Sequence, residues 1–483
     1  MNGLANSAQR GGCRMQGFRQ YALIGLLIVV LVAGCSGSKN PGPPPATTSP
    51  VSLTMTDAPP ANVSLEAFQA LFTAAVLKPN DQSLILIPTL VEITRLQTGS
   101  LFISTVNVAP GTYTTIDLSL ANPDLTFKND TGATITVAGV TCLTGTVCEI
   151  KPAAAGMVTL NLVPPLVVAA NSSTGLQVDV NLNNLINGSL AVSFATASGY
   201  SIAQLPLPGR PSGQLDEFDD LMGIVVNKDA VNNKFNLQTT LGNFTVSVDG
   251  TTGFLDFTTC PANDFTCVTN GQVVKVDLRL LPAGTFLAKV IELEDAAADD
   301  ELEGVITSVD SSTQFKMVVL SQLRPMAGVS VGNPITVTLQ ASTSFQVDTD
   351  GLTVPAGLQA GFEAATDTAQ LLPGQEVEVR VRTLAVGPPI VVATNRVRLR
   401  FSRFTANVAG APAFSIFNVG SLPSVFTSAG VAQIRAQTSS QTIFEGVTDT
   451  SGLADGNSVS LEGLLFEAIP NPILVAKKVR KRS

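Results

Sequence analysis

Residues 101–118 read LFISTVNVAPGTYTTIDL. Two runs rich in apolar, β-branched and aromatic residues, 101–108 and 112–118, lie on either side of Ala109, Pro110 and Gly111. Such residues favour extended strands, and a Pro-Gly pair favours a tight turn. The stretch therefore predicts two strands that form a β-hairpin.

Similar patterns extend on both sides of this hairpin. Residues 51–56, VSLTMT, alternate apolar and polar side chains and end at the turn-forming residues 57–60. Further strands are predicted at 91–96, 134–140, 156–163, 176–182 and 189–195. About seven short strands with turns between them predict a two-sheet β-sandwich over residues 51–204.

One segment of this domain fits two structures. Five large apolar residues follow Ser64 at helical spacing: Leu65, Phe68, Leu71, Phe72 and Val76. Residues 68–77 also fit a strand, and periodicity alone favours a short helix.

Four motifs of the domain, TDAP at 56–59, PGTY at 110–113, ANPDLT at 121–126 and STGL at 173–176, resemble the bacterial lipoprotein family called domain of unknown function 4382. The resemblance implies a prealbumin-like sandwich with a strand at 68–77, and we follow it there. It implies no catalytic residues. We interpret Asp57 as a turn cap and Tyr113 as a packing residue of the hairpin.

The rest of the chain repeats a pattern. Residues 205–217 are rich in Pro and Gly and predict a linker. Three repeats follow at 218–296, 301–400 and 402–481. Each begins with a predicted hairpin whose second strand carries a phenylalanine, aligned here as Phe235, Phe315 and Phe414. Each repeat is long enough for its own core, so we expect beads rather than a solenoid that must stack to fold.

The repeats resemble the domain of unknown function 5666 family, whose members are small β-barrels often found in tandem. The strand count suggests an OB-like barrel for each repeat. The predicted fold is therefore all-β, with an N-terminal prealbumin-like β-sandwich followed by three tandem small β-barrel (OB-like) domains.

The amino terminus has the layout of a secretory signal. Arginines precede a short apolar run at 21–32, and Val32-Ala33-Gly34-Cys35 resembles the lipobox of bacterial lipoproteins. The resemblance implies a signal peptide at 1–34, lipidation of Cys35, a flexible tether over 35–50 and an outer-membrane address. Met15 is an alternative start, and a transmembrane anchor is the alternative interpretation, although the run is shorter than the roughly 20 residues of a span.

Composition excludes several classes of function. The 483-residue chain contains no histidine, which excludes Ser-His-Asp and Cys-His catalysis and His-ligated zinc. A net charge of −9 argues against a general nucleic-acid partner. The chain also lacks Trp, which disfavours a sugar site built on stacked aromatic rings. We predict no catalytic residue, cofactor or metal site.

Four cysteines beyond Cys35 form two close pairs. Cys142 with Cys148 and Cys260 with Cys267 predict local disulfides at hairpin tips, because exported proteins favour oxidised cysteines. A four-cysteine zinc site is the alternative.

Three charged stretches are candidates for sites. The acidic residues of 292–303 predict a solvated linker, with a calcium site as the alternative. Asp348 and Asp350 predict a turn. The basic residues of 477–482 predict a frayed polar tail. Two further sets of basic residues recur with a period of two, which places each set on one face of a strand: Arg380 and Arg382, and Arg396, Arg398 and Arg400. We predict that this face could bind a polyanion. The alternative is a charged surface that keeps the sheet soluble.

The sequence alone does not state an activity. We expect a lipid-anchored cell-envelope protein with a non-enzymatic binding or structural role, attached to the membrane by lipid and contacting envelope polysaccharide or protein partners. The alternatives are a binder of anionic polysaccharide through repeat 2 and a carboxylate-dependent hydrolase.

Overall fold

Strands form most of the chain, as the sequence predicts. The computed structural model describes residues 48–58, 65–207, 210–239, 241–295 and 299–482. The predicted signal peptide, Cys35 and most of the tether lie outside the described residues. Among the described residues, none of the helices has both the length and the apolar character of a membrane span.

The predicted sandwich is present and has two sheets. One sheet has the order β12-β11-β1-β5, and the other contains β10, β6, β2 and β3 with β4 and β9 at its edges. The strands of this domain are β1 (Ser49–Ala58), β2 (Leu65–Lys78), β3 (Gln82–Ser83), β4 (Thr89–Glu92), β5 (Leu101–Val108), β6 (Gly111–Lys128), β7 (Ile135–Val137), β8 (Val140–Cys142), β9 (Val147–Ile150), β10 (Ala155–Val168), β11 (Thr174–Asn181) and β12 (Tyr200–Leu205). A short helix, α1 (Leu182–Leu185), follows β11.

The predicted hairpin at 101–118 is wrong, although both of its strands exist. β5 pairs with β1 in one sheet, whereas β6 pairs with β2 and β10 in the other. The turn therefore carries the chain across the core between the two sheets. Tyr113 is fully buried beside this turn and donates its hydroxyl hydrogen to the carbonyl of Ala109 at 2.8 Å.

The ambiguous segment is a strand, as the resemblance implied, and the helix favoured by periodicity is wrong. β2 lies between β6 and the β3/β4 edge of its sheet. Its pairing with β6 shifts register at three places, near Ala67, Leu71 and Ala74. Each irregularity interrupts the alternation of inward and outward side chains. The apolar residues consequently fall at a spacing that resembles a helix.

Three small barrels follow the sandwich. Barrel 1 contains β13 (Asp216–Asp229), β14 (Lys234–Thr239), β15 (Gly242–Ser247), β16 (Gly253–Leu255), β17 (Val273–Leu281) and β18 (Thr285–Asp295). Barrel 2 contains β19 (Glu301–Ser311), β20 (Gln314–Gln322), β21 (Pro334–Val347), α2 (Ala356–Glu363), β22 (Glu376–Ala385) and β23 (Ile390–Leu399). Barrel 3 contains β24 (Phe401–Ala413), β25 (Ile416–Gly420), α3 (Ser424–Thr427), β26 (Ile434–Gln437), β27 (Ile443–Glu445), β28 (Ser458–Phe466) and β29 (Ile473–Lys481).

The barrels share one topology. Each closes a ring of five strands in the chain order first, second, third, fifth, fourth, and the third and fifth strands pair in parallel. The extra short strands β16 and β27 lie outside the rings of barrels 1 and 3. This arrangement fits the predicted OB-like barrels.

Each barrel contains a hydrophobic core cluster, as expected of beads, but the domains also pack against one another. The described residues between 48 and 482 belong to one compact unit. Phe102 of the sandwich packs on three phenylalanines of barrel 1, with its ring 4.9 Å from that of Phe286. The ring of Phe362 on α2 lies 6.4 Å from that of Phe466 in barrel 3. Apolar contacts therefore join neighbouring domains.

Both predicted disulfides are present, Cys142–Cys148 and Cys260–Cys267. They close the loops that connect β8 to β9 and β16 to β17, rather than hairpin tips.

The alignment of the third repeat requires a correction. Phe235 and Phe315 are fully buried on the second strands of barrels 1 and 2. The buried equivalent in barrel 3 is Phe417, whereas Phe414 lies at the hairpin tip, 97% exposed, with a φ of 48°. A bulky side chain is unusual at such a φ value.

This correction can be tested by two substitutions in barrel 3. Phe417→Ala should lower the free energy of unfolding by about 3–5 kcal/mol, because it leaves a cavity in the core. Phe414→Gly should not lower it, since glycine adopts a positive φ without strain. Denaturant titration measures both, and equal losses for the two variants would contradict the corrected alignment.

Candidate functional site

The three barrels carry charged residues at equivalent strand positions. In each ring, one charged residue of the fourth strand lies opposite one of the fifth: Lys275 and Glu292, Glu378 and Arg398, Glu462 and Lys478. Their neighbours along the strand, such as Val274 and Val276, fill the barrel core. Because side chains alternate along a strand, the charged residues point out of their barrels.

The first strands of barrels 2 and 3 extend this pattern. Glu303 lies opposite Glu378, and Arg403 lies opposite Glu462. The outward Lys275, Glu292, Glu303, Glu378, Glu462 and Lys478 are nevertheless buried. The side chains of Arg398 and Arg403 are only 11% and 9% exposed. The charged faces of the three barrels therefore face one another rather than solvent.

Lys275 lies at the centre of this arrangement. Its Nζ atom is 2.7 Å from a carboxylate oxygen of Glu292 and 2.7 Å from one of Asp348 in barrel 2. Asp220 and Asp350 approach the same atom at 3.9 and 3.7 Å. One ammonium group thus connects barrel 1 to the loop that follows β21.

The arginines of β23 and the residue after it bind carboxylates of barrel 1. Arg400 contacts Glu294 of barrel 1 at 2.8 Å and Asp348 of its own barrel at 2.6 Å. Arg398 also pairs with Glu294. Arg396 contacts Asp295 at 3.1 Å. The end of barrel 2 is thereby tied to the end of barrel 1.

Barrel 3 joins the same cluster. Arg403 contacts Asp220 of barrel 1 at 2.7 Å and Glu376 of barrel 2 at 3.3 Å. Lys477 on β29 contacts Asp220 at 3.2 Å and also pairs with Asp350.

The sandwich supplies a further arginine. Arg95 binds both carboxylate oxygens of Glu303, at 2.8 and 2.9 Å. Thr98 donates a hydrogen bond to Glu462 at 2.7 Å. All four domains therefore take part in one buried network.

We call this network the charge hub. Its cationic residues are Arg95, Lys275, Arg396, Arg398, Arg400, Arg403 and Lys477. Its acidic residues are Asp220, Asp277, Glu292, Glu294, Asp295, Glu301, Glu303, Asp348, Asp350, Glu376, Glu378 and Glu462.

Several charged residues that were expected to face solvent are paired or buried instead. The arginines proposed to bind a polyanion all pair with carboxylates of this chain: Arg380, Arg382, Arg396, Arg398 and Arg400. The predicted solvated linker is wrong for Glu292, Glu294, Glu301 and Glu303, which are buried. These two stretches are the two halves of one ion-pair network.

The predicted frayed tail is also wrong. Residues 473–481 form β29, which pairs with β28. The Nη2 atom of Arg482 donates to the carbonyls of Asp57 and Gln97 in the sandwich, at 2.8 and 2.6 Å.

The hub contains two sets of three carboxylates that are close enough together to be metal ligands. They are Glu292, Glu294 and Asp348, and Asp220, Asp277 and Asp350. Lys275 lies within 4 Å of members of both groups. Its ammonium already supplies the positive charge that these carboxylates need, so the calcium alternative gains no support.

Burial shifts the protonation of the hub carboxylates. It raises the pKa of Glu376 to about 7, although the charges of Arg403 and Arg95 act in the opposite direction. Burial and the neighbouring charge of Glu301 raise the pKa of Glu378 to about 7.

The pKa values of the carboxylates around Lys275 are shifted in opposite directions. Burial raises the pKa of Asp277 to about 8 and that of Glu292 to about 9, where Lys275 opposes the shift. Burial also disfavours the charged form of Asp348, but Lys275 and Arg400 outweigh it and lower that pKa to about 2. The hub therefore holds protons on some carboxylates and excludes them from others.

A cleft of about 710 Å³ opens beside the hub, between the sandwich, barrel 2 and barrel 3. Arg95, Glu376 and Arg403 belong to both the hub and the cleft wall. Asp179 on β11 and Arg482 also line it. We call this feature the interdomain cleft, and the sequence held no signal for it because its walls come from three domains.

The fold and site describe an all-β protein made of one sandwich and three OB-like barrels. Residues 229–292, within barrel 1, match the family described as Domain of unknown function (DUF5666). No curated protein matches the chain.

One solved structure is similar to part of the chain. The crystal structure of a multidomain protein with nucleic acid binding domains from Streptococcus pneumoniae TIGR4 covers 54% of this chain and 71% of its own, at 10% identity and a TM-score of 0.10. A TM-score this low supports no argument about fold or function.

Removal of one hub cation should destabilise the protein strongly. Arg400→Gln leaves Glu294 and Asp348 short of a buried partner, and we expect a loss of about 3–5 kcal/mol in the free energy of unfolding. The control is Arg435→Gln on the exposed face of β26, which should change it by less than about 0.5 kcal/mol. Similar effects for both variants, measured by denaturant titration, would contradict a structural role for the hub.

Stability should fall as pH rises from about 5 to 9. The folded state binds protons on Glu376, Glu378, Asp277 and Glu292 that the unfolded state releases above about pH 4.5. Their contribution is therefore present at low pH and is lost as pH passes through the folded values of about 7 to 9. Asp348 acts in the opposite direction, only below about pH 4.

Glu376→Gln tests this pH dependence. Glutamine keeps the shape of the protonated acid but does not titrate. The variant should lose part of the decline between pH 5 and 7, up to about 3 kcal/mol for the shift of Glu376. Denaturant titrations of wild type and variant at pH 5, 7 and 9 measure the difference, and parallel pH profiles would contradict the assignment.

Proposed function

We propose that the protein is a lipid-anchored component of the bacterial cell envelope with a non-enzymatic binding or structural role. The charge hub is the observation that carries this proposal. It uses charged residues from four domains to hold them in one arrangement, which suits a structural or binding role.

Two features support an extracytoplasmic location. Both cysteine pairs form disulfides, which persist in oxidising compartments. The sequence Val32-Ala33-Gly34-Cys35 resembles a lipobox. The acyl chains of a lipidated Cys35 would attach the folded part to a membrane through the tether at 35–50.

The alternative of a polyanion site in barrel 2 gains little support from the geometry. An anionic polysaccharide would have to compete with internal carboxylates for Arg396, Arg398 and Arg400. The last two are also almost inaccessible to solvent, with side chains 11% and 5% exposed.

The hydrolase alternative fares no better. Acid–base catalysis by two carboxylates requires that both reach a substrate. The described carboxylates that cluster most closely are buried around Lys275 and the hub arginines. Their partners are groups of the protein itself.

The lipid anchor can be tested in cells. The full chain is expressed in a bacterium that is fed an alkynyl fatty acid, and the label is detected on the purified protein. Wild type should incorporate the label and partition with membranes, because the Cys35 thiol is the proposed acceptor. Cys35→Ala should remove the label, and the control Cys13→Ala should keep it. A label that persists in Cys35→Ala, or is absent from wild type, would reject the anchor.

A further inference from the structure

The interdomain cleft has the size and position of a ligand site. Its volume of about 710 Å³ lies within the roughly 300–1,000 Å³ typical of small-molecule pockets. Such pockets occur preferentially where domains meet. Here the walls come from the sandwich, barrel 2 and barrel 3.

The charges that line the cleft balance. Three acidic residues, Glu66, Asp179 and Glu376, accompany three arginines, Arg95, Arg403 and Arg482. Glu376 pairs with Arg403 at 3.3 Å, and Arg95 is held by Glu303. The cleft therefore offers no excess charge to attract an ion.

Asp179 has hydrogen-bonding capacity to spare. Its Oδ1 atom is buried and has no hydrogen-bond partner, and Oδ2 accepts only a long hydrogen bond of 3.4 Å from Ser201. A ligand hydroxyl in the cleft can donate to Oδ2, whose one hydrogen bond is long.

Donors stand on the same wall. Arg482 uses Nη2 and Nε to bind Asp57, Gln97 and Ser460, which leaves Nη1 without a partner among the described residues. Asn181 accepts the backbone N–H of Asn183 with its Oδ1 atom, so that its Nδ2 group remains a donor. The wall thus offers a carboxylate acceptor beside guanidinium and amide donors.

From this wall we propose that the interdomain cleft binds a neutral saccharide. Each sugar hydroxyl both donates and accepts a hydrogen bond, so adjacent hydroxyls can donate to Asp179 and accept from Arg482 and Asn181. Leu65, Leu320 and Leu422 supply apolar surface for the C–H groups of the ring. This proposal rests on the binding role proposed above and names its ligand class.

The test uses the full chain, purified in a detergent that has no sugar headgroup. Binding is measured by isothermal titration calorimetry against neutral oligosaccharides, the corresponding free monosaccharides and acidic oligosaccharides. We expect neutral sugars to bind with an affinity that does not change with salt, because no net charge is involved. Stronger binding of oligosaccharides than monosaccharides would identify a glycan chain as the source, and the reverse would identify a free sugar.

Matched substitutions locate the site. Asp179→Asn and Arg482→Gln should each weaken binding at least tenfold. Asp310→Asn, an exposed residue that pairs with Lys316 on the first hairpin of barrel 2, should leave binding unchanged. Asn181→Ala serves as a third variant if thermal unfolding shows that either cleft variant is misfolded.

Three outcomes would overturn the proposal. They are no binding of any neutral sugar, binding that all cleft variants retain, and salt-sensitive binding confined to acidic sugars. None of them affects the lipid-anchor test, so failure of the saccharide proposal can be told apart from failure of the envelope assignment.

Discussion

The ion pair between Lys275 of barrel 1 and Asp348 of barrel 2 is the contact on which the arrangement of these barrels depends. A charge that leaves water loses its hydration, and only opposite charges and hydrogen bonds in the interior replace it. Lys275 would be costly to bury without Asp348 from barrel 2. Arg400 would be equally costly without Glu294 from barrel 1. Each barrel consequently needs its neighbours to satisfy its own outward face.

Apolar contacts and ion pairs have different parts in this assembly. The cluster around Phe102 and the contact of Phe362 with Phe466 remove apolar surface from water between domains. Such contacts are non-directional and tolerate small displacements. The two hydrogen bonds between Arg95 and Glu303 require a defined geometry. The apolar contacts therefore supply driving force, and the charged contacts select one orientation.

Equivalent strand positions carry different charged residues in the three repeats. Lys275, Glu378 and Glu462 occupy equivalent places on the fourth ring strand, and Glu292, Arg398 and Lys478 occupy equivalent places on the fifth. Differences between the repeats at these positions let the faces bind each other. The interdomain cleft, bounded by the same contacts, exists only because the faces meet.

The sequence by itself determined the all-β class, the sandwich, the three barrels and both cysteine pairs, because alternation, turn residues and short spacings are local properties. It did not determine every strand, because the strand predicted at 189–195 is absent and the one predicted at 91–96 ends at Glu92. It did not determine which sheet each strand joins. Residues 101–118 have the pattern of a hairpin, but their two strands pair with β1 and β2 in different sheets. It marked the acids of 292–303 and the arginines of 396–400 as charged, but their mutual pairing is a contact between residues about 100 positions apart. Tertiary structure decided that pairing, because the burial of a charge depends on the domain that packs against it.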